Sequence, residues 1–381
     1  MRLRITLLLL AVLIWGFALR LYTLDAKPFW FDEGLSVDLA LAPPDYVLNT
    51  IDRPPLYYVL LHGWIKIAGV GPFTFRFFSA WWGALVLPLF YVLARQVLDR
   101  RAAWLTLLLA ALSPFLVYYA QEARTYSLTL ALLLASCWSM LKWLNDPRPH
   151  WLIVYGLTTL ACLYTHYALL VLPVAQTLAV VWISVSRTTV NEQLQNRSIF
   201  TRIHSTALLH WFGVEAMVVL LFLPWPLHVR QNLPQLIAPE IEAAVAAPLP
   251  AAAHAAWTTL REFAVGRALP SPLADGLTLL FLFLVVLGAL SPSLTTTARR
   301  FLLTGLLIPP LLILLLPRTA VYFAPKYLLA AAPAFYLLLV AGLEALRSAS
   351  PRWYWVLLAV VIAALLAGLA VWYFVAQSKV A

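Results

Sequence analysis

Long apolar stretches, separated by short segments that contain Arg, Lys and Pro, repeat along the whole chain. Most of them are close to the roughly twenty residues that a helix needs to cross about 30 Å of hydrocarbon. Their apolar positions are continuous rather than alternating, which favours transmembrane helices over the strands of a membrane barrel. Because lipid offers the backbone no hydrogen-bonding partners, the chain is predicted to be an all-α polytopic membrane protein.

Eleven of these stretches are predicted to cross the membrane, and one is predicted to lie on its surface. Under the positive-inside rule, Arg2 and Arg4 are expected in the cytoplasm, as is the next basic cluster at 95–101. An odd number of crossings must separate the two clusters, so the short stretch 56–70 is predicted to be a surface helix on the outer side. The predicted crossings are approximately 5–24, 74–98, 102–119, 126–144, 151–165, 168–185, 207–226, 276–290, 301–316, 328–346 and 353–375.

The composition agrees with this interpretation. Residues of the AVILMFWYC set make up 63% of the chain and charged residues 11%, and the mean hydropathy is +0.86. These values exclude a soluble globular enzyme, a disordered protein and a secreted disulfide scaffold. The net charge of +10 comes from basic residues dispersed between apolar stretches, so no nucleic-acid partner is expected. Cys137 and Cys162 lie inside apolar stretches and are interpreted as small core residues.

The charged residues are distributed unevenly between the two sides. On this topology eleven of the sixteen acidic residues fall on the outer side, and six of them lie in the first outer loop, 25–73. A second long outer loop, 227–275, is rich in Ala and Pro and is predicted to be a flexible or partly helical cover. One membrane domain, 1–381, accounts for the whole chain. We expect an inner (plasma) membrane protein with a cytoplasmic N-terminus, an uncleaved first helix and its chemistry on the extracytoplasmic side.

The first candidate group is the segment FWFDEG, which contains Asp32 and Glu33. Aromatic neighbours can raise the pKa of one carboxyl group, and a carboxylate near an acceptor hydroxyl can take its proton as a general base. The alternative interpretation is an interfacial aromatic belt with two solvated acids.

The second candidate group is the segment 51–58, which contains Asp52, Arg53 and Tyr57. Two prolines stiffen the start of the surface helix and so restrict the position of Arg53, whose guanidinium could hold a phosphate at headgroup level. The alternative for Arg53 is ordinary snorkelling to lipid headgroups.

The third candidate group is a tight outer hairpin that contains Glu122, Arg124 and Tyr126. Glu122 and Arg124 could also simply neutralise each other. His166 in YTHY, and Lys326 and Tyr327 in PKY, occupy further outer positions. None of these groups has the spacing of a dedicated metal site, and the sequence leaves a divalent cation open as a cofactor.

Seven segments, taken in chain order, carry a resemblance to a known family. They are FWFDEG, DRPPLYYVLLHGW, FRFFSAWWGALVLPLFYVLARQVLDRRAAW, SPFLVYYAQEARTYSL, YTHYALLVL, FLPWPLHVRQ and PKYLLAAAPAFYLLL. In this order they resemble the bacterial GT-C glycosyltransferases of the protein O-mannosyltransferase type (glycosyltransferase family 39-like), whose wider kin include the lipid A aminoarabinose transferases. The resemblance implies the GT-C fold, and an integral membrane enzyme that transfers a sugar with inversion from a polyprenyl-phosphate carrier to an acceptor on the outer face.

The resemblance also implies roles for individual residues. Asp32 matches the acid that acts as the base toward the acceptor hydroxyl, and Glu33 would orient Asp32 or contact the sugar. Glu122 matches a second acid in the next outer hairpin. The donor phosphate would be held by Arg53, Arg124 or Lys326, and His166 would contact the acceptor or the phosphate. The expected partners are a polyprenyl-phosphate-linked sugar, membrane lipid and a glycolipid, glycan or protein acceptor.

Two other functions remain open from the sequence. A transporter or flippase of a lipid-linked anion would need ionisable groups along the bilayer midplane, where Glu215 is the clearest example. A structural or assembly subunit would need no chemistry at all. The six acids of the first outer loop favour the transferase over both.

Overall fold

The computed structural model describes residues 2–50, 53–192, 197–229, 249–314 and 324–376. Within these ranges the chain is helical and contains no strand, which confirms the prediction of an all-α protein. The helices are α1 (Arg2–Leu21), α2 (Phe31–Leu41), α3 (Pro44–Thr50), α4 (Leu56–Ala68), α5 (Pro72–Val97), α6 (Arg100–Leu112), α7 (Pro114–Ala120), α8 (Tyr126–Asn145), α9 (Pro149–Leu163), α10 (Val171–Glu192), α11 (Arg197–Phe222), α12 (Pro224–Val229), α13 (Leu249–Val265), α14 (Ser271–Leu290), α15 (Thr296–Leu314), α16 (Ala332–Ala349) and α17 (Pro351–Val371).

In the described ranges, eight helical segments are long and apolar enough to cross a membrane. They are Pro72–Val97, Tyr126–Asn145, Tyr167–Val185, Ala207–Val229, Ser271–Leu290, Thr296–Leu314, Leu329–Ala349 and Pro351–Val375. The bent pair α6 and α7 could form a ninth, and Thr6–Leu21 and Pro149–Leu163 are shorter apolar helices. Each predicted crossing therefore corresponds to helix where the structure describes it. The count of eleven crossings stays a prediction.

A bend divides the stretch 102–119, which the sequence analysis treats as one crossing. Helices α6 and α7 meet at an angle of 56°. Pro114, the first residue of α7, has no N–H to continue the α6 ladder, and Ser113 Oγ caps α7 by accepting the Leu116 N–H at 3.2 Å. The short helix α7 therefore leads directly into the turn 121–125, which connects α7 to α8. We call the end of the bundle that carries this turn the hairpin end.

The loop 25–73, which is predicted to lie on the outer side, contains more helix than predicted. The stretch 56–70 is helical as predicted and forms α4, and two further helices, α2 and α3, precede it. The position of α4 on the membrane surface stays a prediction. His62 Nδ1 donates to the Ala40 carbonyl of α2 at 2.8 Å, and the Leu56 N–H donates to the Tyr164 carbonyl beyond α9 at 2.9 Å. An apolar cluster from α2, α4 and the start of α5 packs against the turn 121–125. The loop is thus folded over the hairpin end.

Helices α8 and α16 form the centre of the bundle, and α11 lies at its edge. In the spans that contain α8 and α16, 72% and 83% of the residues are buried, against 17% in the span that contains most of α11. Helix α16 packs most closely against α14, where Gly288 and Gly342 face each other's backbones. The absence of a side chain at both glycines allows this approach.

We expect Gly288→Ala to destabilise the protein. A Cβ at Gly288 would lie 2.0 Å from the Leu338 carbonyl oxygen, and backbone cannot move aside as a side chain can. Overpacking of this kind typically costs about 1–3 kcal/mol in the free energy of unfolding. Thermal unfolding in detergent measures the effect. Gly276→Ala is the matched control in the same helix, since nothing lies within 4 Å of a Cβ at Gly276. Equal midpoints for the two variants would contradict the packing argument.

Candidate active site

The ends of two helices, α1 and α17, meet at the turn 121–125. Gln121 Nε2 donates to the Tyr22 carbonyl, just after α1, at 2.8 Å. Gln121 Oε1 accepts from Trp372 Nε1, just after α17, at 3.0 Å. One side chain therefore ties the turn to the ends of α1 and α17, and these ends hold the site from one side.

Glu33 is fully engaged in the protein interior. Its carboxylate forms a two-point pair with Arg76 of α5, in which Nε donates to Oε1 at 2.8 Å and Nη2 donates to Oε2 at 2.7 Å. Oε1 also accepts the Ala123 N–H of the turn at 2.8 Å. The exposed fractions of the Arg76 and Glu33 side chains are only 4% and 3%. Glu33 thus ties α2 to α5 and to the turn, so its contacts favour orienting Asp32 over touching a sugar.

Arg76 completes this connection by donating to the chain that enters α2. Its Nη1 donates to the Leu24 and Lys27 carbonyls at 3.1 and 2.8 Å, and its Nη2 donates to the Pro28 carbonyl at 3.1 Å. All five guanidinium N–H groups therefore have acceptors. The path of residues 24–33, and with it the position of Asp32, is determined by one buried cation.

Asp32 is the more accessible of the two acids. Its side chain is 18% exposed, and its Oδ2 lies 3.7 Å from Arg124 Nη2 and 3.6 Å from Lys326 Nζ. Both distances exceed the 2.7–2.9 Å that is typical of a tight charge-assisted hydrogen bond. No described residue donates a shorter bond to this carboxylate. Its lone pairs can therefore accept a proton from an incoming hydroxyl.

Arg124 is held against the backbone of α2. Its Nη1 donates to the Asp32 carbonyl at 2.9 Å and to Ser36 Oγ at 3.0 Å, and its guanidinium carbon lies 5.7 Å from the centre of the Tyr126 ring. Its Nε is buried and has no hydrogen-bond partner among the described residues. The guanidinium is thus fixed in place beside Asp32 without being neutralised by a tight pair.

Three further candidates surround the same point. Lys326 reaches Asp32 from the segment before α16, and its Nζ lies 5.3 Å from the centre of its neighbour's ring, Tyr327. The His166 ring lies 5.7 Å from the Tyr327 ring. Arg53 is near enough for its charge to help lower the pKa of His166. Lys326 therefore contacts Asp32, and His166 lies near the cations Arg124, Lys326 and Arg53.

Two predicted contact residues lie beneath the site. Tyr57 is fully buried, and its hydroxyl is 2.8 Å from Ser79 Oγ, which donates to the Arg124 carbonyl at 3.1 Å. Tyr126 is 1% exposed and packs against the Tyr119 ring at 4.8 Å. Both side chains support Arg124 from the interior. Asp52 lies outside the described residues.

Glu122 points away from Asp32 into a second polar cluster. There Arg267 Nη1 donates to the Tyr118 hydroxyl at 2.6 Å, and Arg267 Nη2 donates to Glu262 Oε1 at 3.0 Å. Glu122 is buried and shares the Tyr118 hydroxyl. The turn therefore separates two polar clusters. The Asp32 cluster contains Asp32, Arg124 and Lys326, and the Glu122 cluster contains Glu122, Tyr118, Glu262 and Arg267.

Burial alters the titration of two groups near the turn. Burial, reinforced by the charge of Glu33, raises the pKa of Glu122 to about 7. Burial, together with the positive charge of Arg76, lowers the pKa of Lys27 to about 8. Lys27 Nζ also lies 3.4 Å from the centre of the Trp372 ring. The charge of the Glu122 cluster therefore changes near neutral pH.

Glu122→Gln is expected to stabilise the protein at pH 8 and to have little effect at pH 5. The folded-state pKa of Glu122 lies above its unfolded value of 4.5, so the folded protein binds the proton more tightly and stability falls as pH rises from about 4.5 to 7. The full shift corresponds to at most about 3 kcal/mol. Thermal midpoints at the two pH values measure it.

The exposed acid Asp45 in the same protein supplies the control. Asp45→Asn should shift the midpoint equally little at both pH values, because an exposed carboxyl gains nothing from losing its charge. If the thermal midpoint of Glu122→Gln equals that of the native protein at both pH values, Glu122 does not cause the loss of stability between pH 5 and pH 8.

Sequence reasoning did not single out Arg76, Ser36, Glu262 or Arg267 as site residues. The one sequence signal of Arg76 and Arg267 is that both are basic residues on the predicted outer side, where the positive-inside rule disfavours them. Their contacts have no local signal, since the partner of Arg76 lies 43 positions away and Tyr118 lies 149 positions from Arg267.

No group of three or more His, Cys, Asp or Glu side chains that could hold a metal ion occurs among the residues that the structure describes.

The chain is similar to several known proteins. Residues 52–225 match the family model of dolichyl-phosphate-mannose-protein mannosyltransferases. No curated protein sequence matches the chain. ArnT from Cupriavidus metallidurans bound to undecaprenyl phosphate is similar over 93% of this chain and 63% of its own, with 16% identity and a TM-score of 0.57. The apo state of the same ArnT gives 16% identity and a TM-score of 0.56, and the match covers 93% of this chain and 62% of the ArnT chain. The oligosaccharyltransferase of Archaeoglobus fulgidus gives 13% identity and a TM-score of 0.54, and the match covers 97% of this chain and 56% of the oligosaccharyltransferase.

These similarities confirm the GT-C fold predicted from the sequence and the resemblance to GT-C glycosyltransferases of this type. The chain spans about three fifths of the length of the ArnT structures. Asp32 and Lys326 lie on either side of the matched range 52–225, and Arg124 lies within it. The fold brings all three together.

Proposed function

We propose that the chain is an inverting glycosyltransferase that moves a sugar from a polyprenyl-phosphate carrier to an acceptor on the extracytoplasmic face of the membrane. The GT-C fold and the match to a mannosyltransferase family model support the reaction class. The similarity to an ArnT structure bound to undecaprenyl phosphate supports the carrier.

The observation that carries the proposal is the setting of Asp32. A carboxylate that is reachable from solvent lies between Arg124 and Lys326 without a tight bond to either. A general base needs a free lone pair, and a phosphate leaving group needs nearby positive charge. The Asp32 cluster supplies both at one point, whereas the neighbouring Glu33 is used entirely for support.

The reaction follows from this arrangement. The acceptor hydroxyl oxygen attacks the anomeric carbon of the sugar and passes its proton to Asp32. The bond between the anomeric carbon and the phosphate oxygen breaks, and its electron pair stays on that oxygen. Arg124 and Lys326 then face a phosphate whose charge has grown from about −1 to −2, so they stabilise the transition state more than the bound donor. A single displacement inverts the anomeric configuration.

The acceptor is proposed only as a class: a hydroxyl of a glycolipid, a polysaccharide or a protein. A transporter of a lipid-linked anion is less well supported. Glu215, its clearest midplane candidate, already accepts hydrogen bonds from Tyr155 at 2.5 Å and Thr177 at 3.1 Å. These bonds connect α9, α10 and α11, which is a structural use of the group.

Transfer from synthetic donors tests the proposed function. The purified chain in proteoliposomes is given labelled mannose, glucose, galactose or aminoarabinose on polyprenyl phosphate. Consumption of one donor, with the label leaving the carrier, is the expected result. A chain that moves the intact labelled lipid across the bilayer and leaves its sugar in place would support the transporter instead.

The side of the membrane is tested by thiol labelling. Phe31 is 83% exposed beside Asp32, and Arg352 is exposed at the opposite end of the bundle, while the two native cysteines are buried. In intact cells we expect a membrane-impermeant maleimide to label Phe31→Cys and to leave Arg352→Cys unlabelled until the membrane is permeabilised. The reverse pattern would place the Asp32 cluster in the cytoplasm.

A further inference from the structure

The imidazole of His166 is held in one tautomer. His166 caps the short 3-10 turn Tyr167–Leu170, where its Nδ1 accepts the Ala168 N–H at 3.1 Å. A ring nitrogen that accepts a hydrogen bond carries a lone pair, so the proton of the neutral ring lies on Nε2. The half-buried ring lies near the rings of Tyr126 and Tyr327, whose centres are 6.0 and 5.7 Å away.

The same imidazole stays neutral. Burial, followed by the positive charges of Arg124, Lys326 and Arg53, lowers the pKa of His166 to about 3. A second proton would have to go onto Nδ1 and would break the cap on Ala168. His166 is therefore a neutral hydrogen-bond donor through Nε2 at any physiological pH.

This donor has no acceptor among the residues that the structure describes. Positive charge also exceeds negative charge beside the ring. Arg124 and Lys326 share one carboxylate, Asp32, whose Oδ2 lies 3.7 and 3.6 Å from their nitrogen atoms. An unused N–H donor beside two cations that share one anion is suited to an incoming anionic oxygen.

We propose that His166 is a further catalytic residue, which donates its Nε2–H to an anionic oxygen of the carrier phosphate beside Arg124 and Lys326. The inference rests on the proposed function and deepens it. It assigns His166 to the donor phosphate and not to the acceptor, and it makes the imidazole a fixed hydrogen-bond donor and not an acid. No proton leaves the ring during the reaction.

The fixed donor favours bond cleavage for an electrostatic reason. A hydrogen bond to oxygen strengthens as that oxygen gains negative charge, and the phosphate oxygens gain it as the bond to the sugar breaks. A neutral donor adds to this stabilisation without another positive charge that Arg124 and Lys326 would repel. His166 should therefore bind the released polyprenyl phosphate more tightly than the sugar-bearing donor.

Two substitutions separate this role from capping. The side-chain amide nitrogen of Gln can occupy the position of His Nε2, so His166→Gln keeps the donor and loses the cap. The side-chain oxygen of Asn can occupy the position of Nδ1, and Asn is among the best capping residues, so His166→Asn keeps the cap and loses the donor. If His166 only caps the 3-10 turn, Asn must be the better replacement.

The experiment measures the affinity of undecaprenyl phosphate for the native chain and both variants in phosphatidylcholine nanodiscs, with the thermal midpoint of each as a folding control. We expect His166→Gln to bind within about threefold of the native chain, and His166→Asn to bind about tenfold more weakly, because a hydrogen bond to a charged group is lost. Equal affinities for the two variants, or tighter binding by His166→Asn, would overturn the inference.

The native chain distinguishes this failure from failure of the proposed function. A native chain that binds undecaprenyl phosphate but shows no difference between the variants refutes the role of His166 alone. A native chain that neither binds undecaprenyl phosphate nor consumes a donor refutes the proposed function, and the inference with it.

Discussion

Replacing Asp32 with Asn is expected to lower the turnover number by about 10²–10⁴-fold, the range over which a general base contributes. The amide has the shape of the carboxylate but cannot take a proton from the acceptor hydroxyl. Donor binding should be unchanged or tighter, because the substitution removes the anion that Arg124 and Lys326 share in the resting site. Turnover and donor affinity, measured separately in proteoliposomes, give the result.

Asp38→Asn is the matched control for this variant. Asp38 lies on the same helix, α2, and is exposed, so its carboxylate can be changed without altering the site. Native turnover in Asp38→Asn together with loss in Asp32→Asn supports the base. Turnover within a few-fold of native in Asp32→Asn, with the thermal midpoint intact, would remove Asp32 from that role.

Arg76→Gln is expected to lower the free energy of unfolding by about 3–5 kcal/mol, because it leaves the buried Glu33 carboxylate without its partner. It should also lower turnover, since Arg76 determines the path of the chain that carries Asp32. The double variant Glu33→Gln, Arg76→Gln should lose less than the two single variants added together, since the second change removes the unpaired charge. Chemical unfolding and transfer assays measure the two effects.

The pair Arg148 and Asp146 is the control for this argument. Its N–O distance of 2.7 Å equals that of Arg76 and Glu33, but its side chains are 67% and 48% exposed. Arg148→Gln should therefore cost no more than about 1 kcal/mol. Comparable losses in the two Arg variants would mean that burial of the Arg76 pair does not control its contribution.

The helices could be predicted from the sequence largely because each depends on its own residues. An apolar stretch of about twenty residues specifies a membrane helix locally, and helix is found at every predicted crossing that the structure describes. The bend at Ser113 and Pro114 was not predicted, although a proline is a local signal. A prediction based on the length of apolar stretches overlooks a single proline inside one of them. Helices α2 and α3 were missed because their charged and polar residues dilute the apolar pattern.

The site was only partly predictable for a different reason. The acids and cations of the predicted outer side could be identified as candidates by type and topology, but their pairing depends on contacts between distant segments. Nothing in a single sequence says that Arg76 engages Glu33 and leaves Asp32 accessible, or that Lys326 reaches Asp32. The division of Asp32 and Glu33 into an accessible and a supporting carboxylate is therefore a result of the fold.

The anomeric configuration of the product tests the central claim most directly. Once a donor from the panel is consumed, its linkage to phosphate and the linkage in the product are both determined by NMR. Direct attack of the acceptor on the anomeric carbon, with Asp32 as the base, predicts inversion in the native chain and loss of product in Asp32→Asn. Retention of configuration would mean that a carboxylate first binds the sugar covalently, and it would contradict the account.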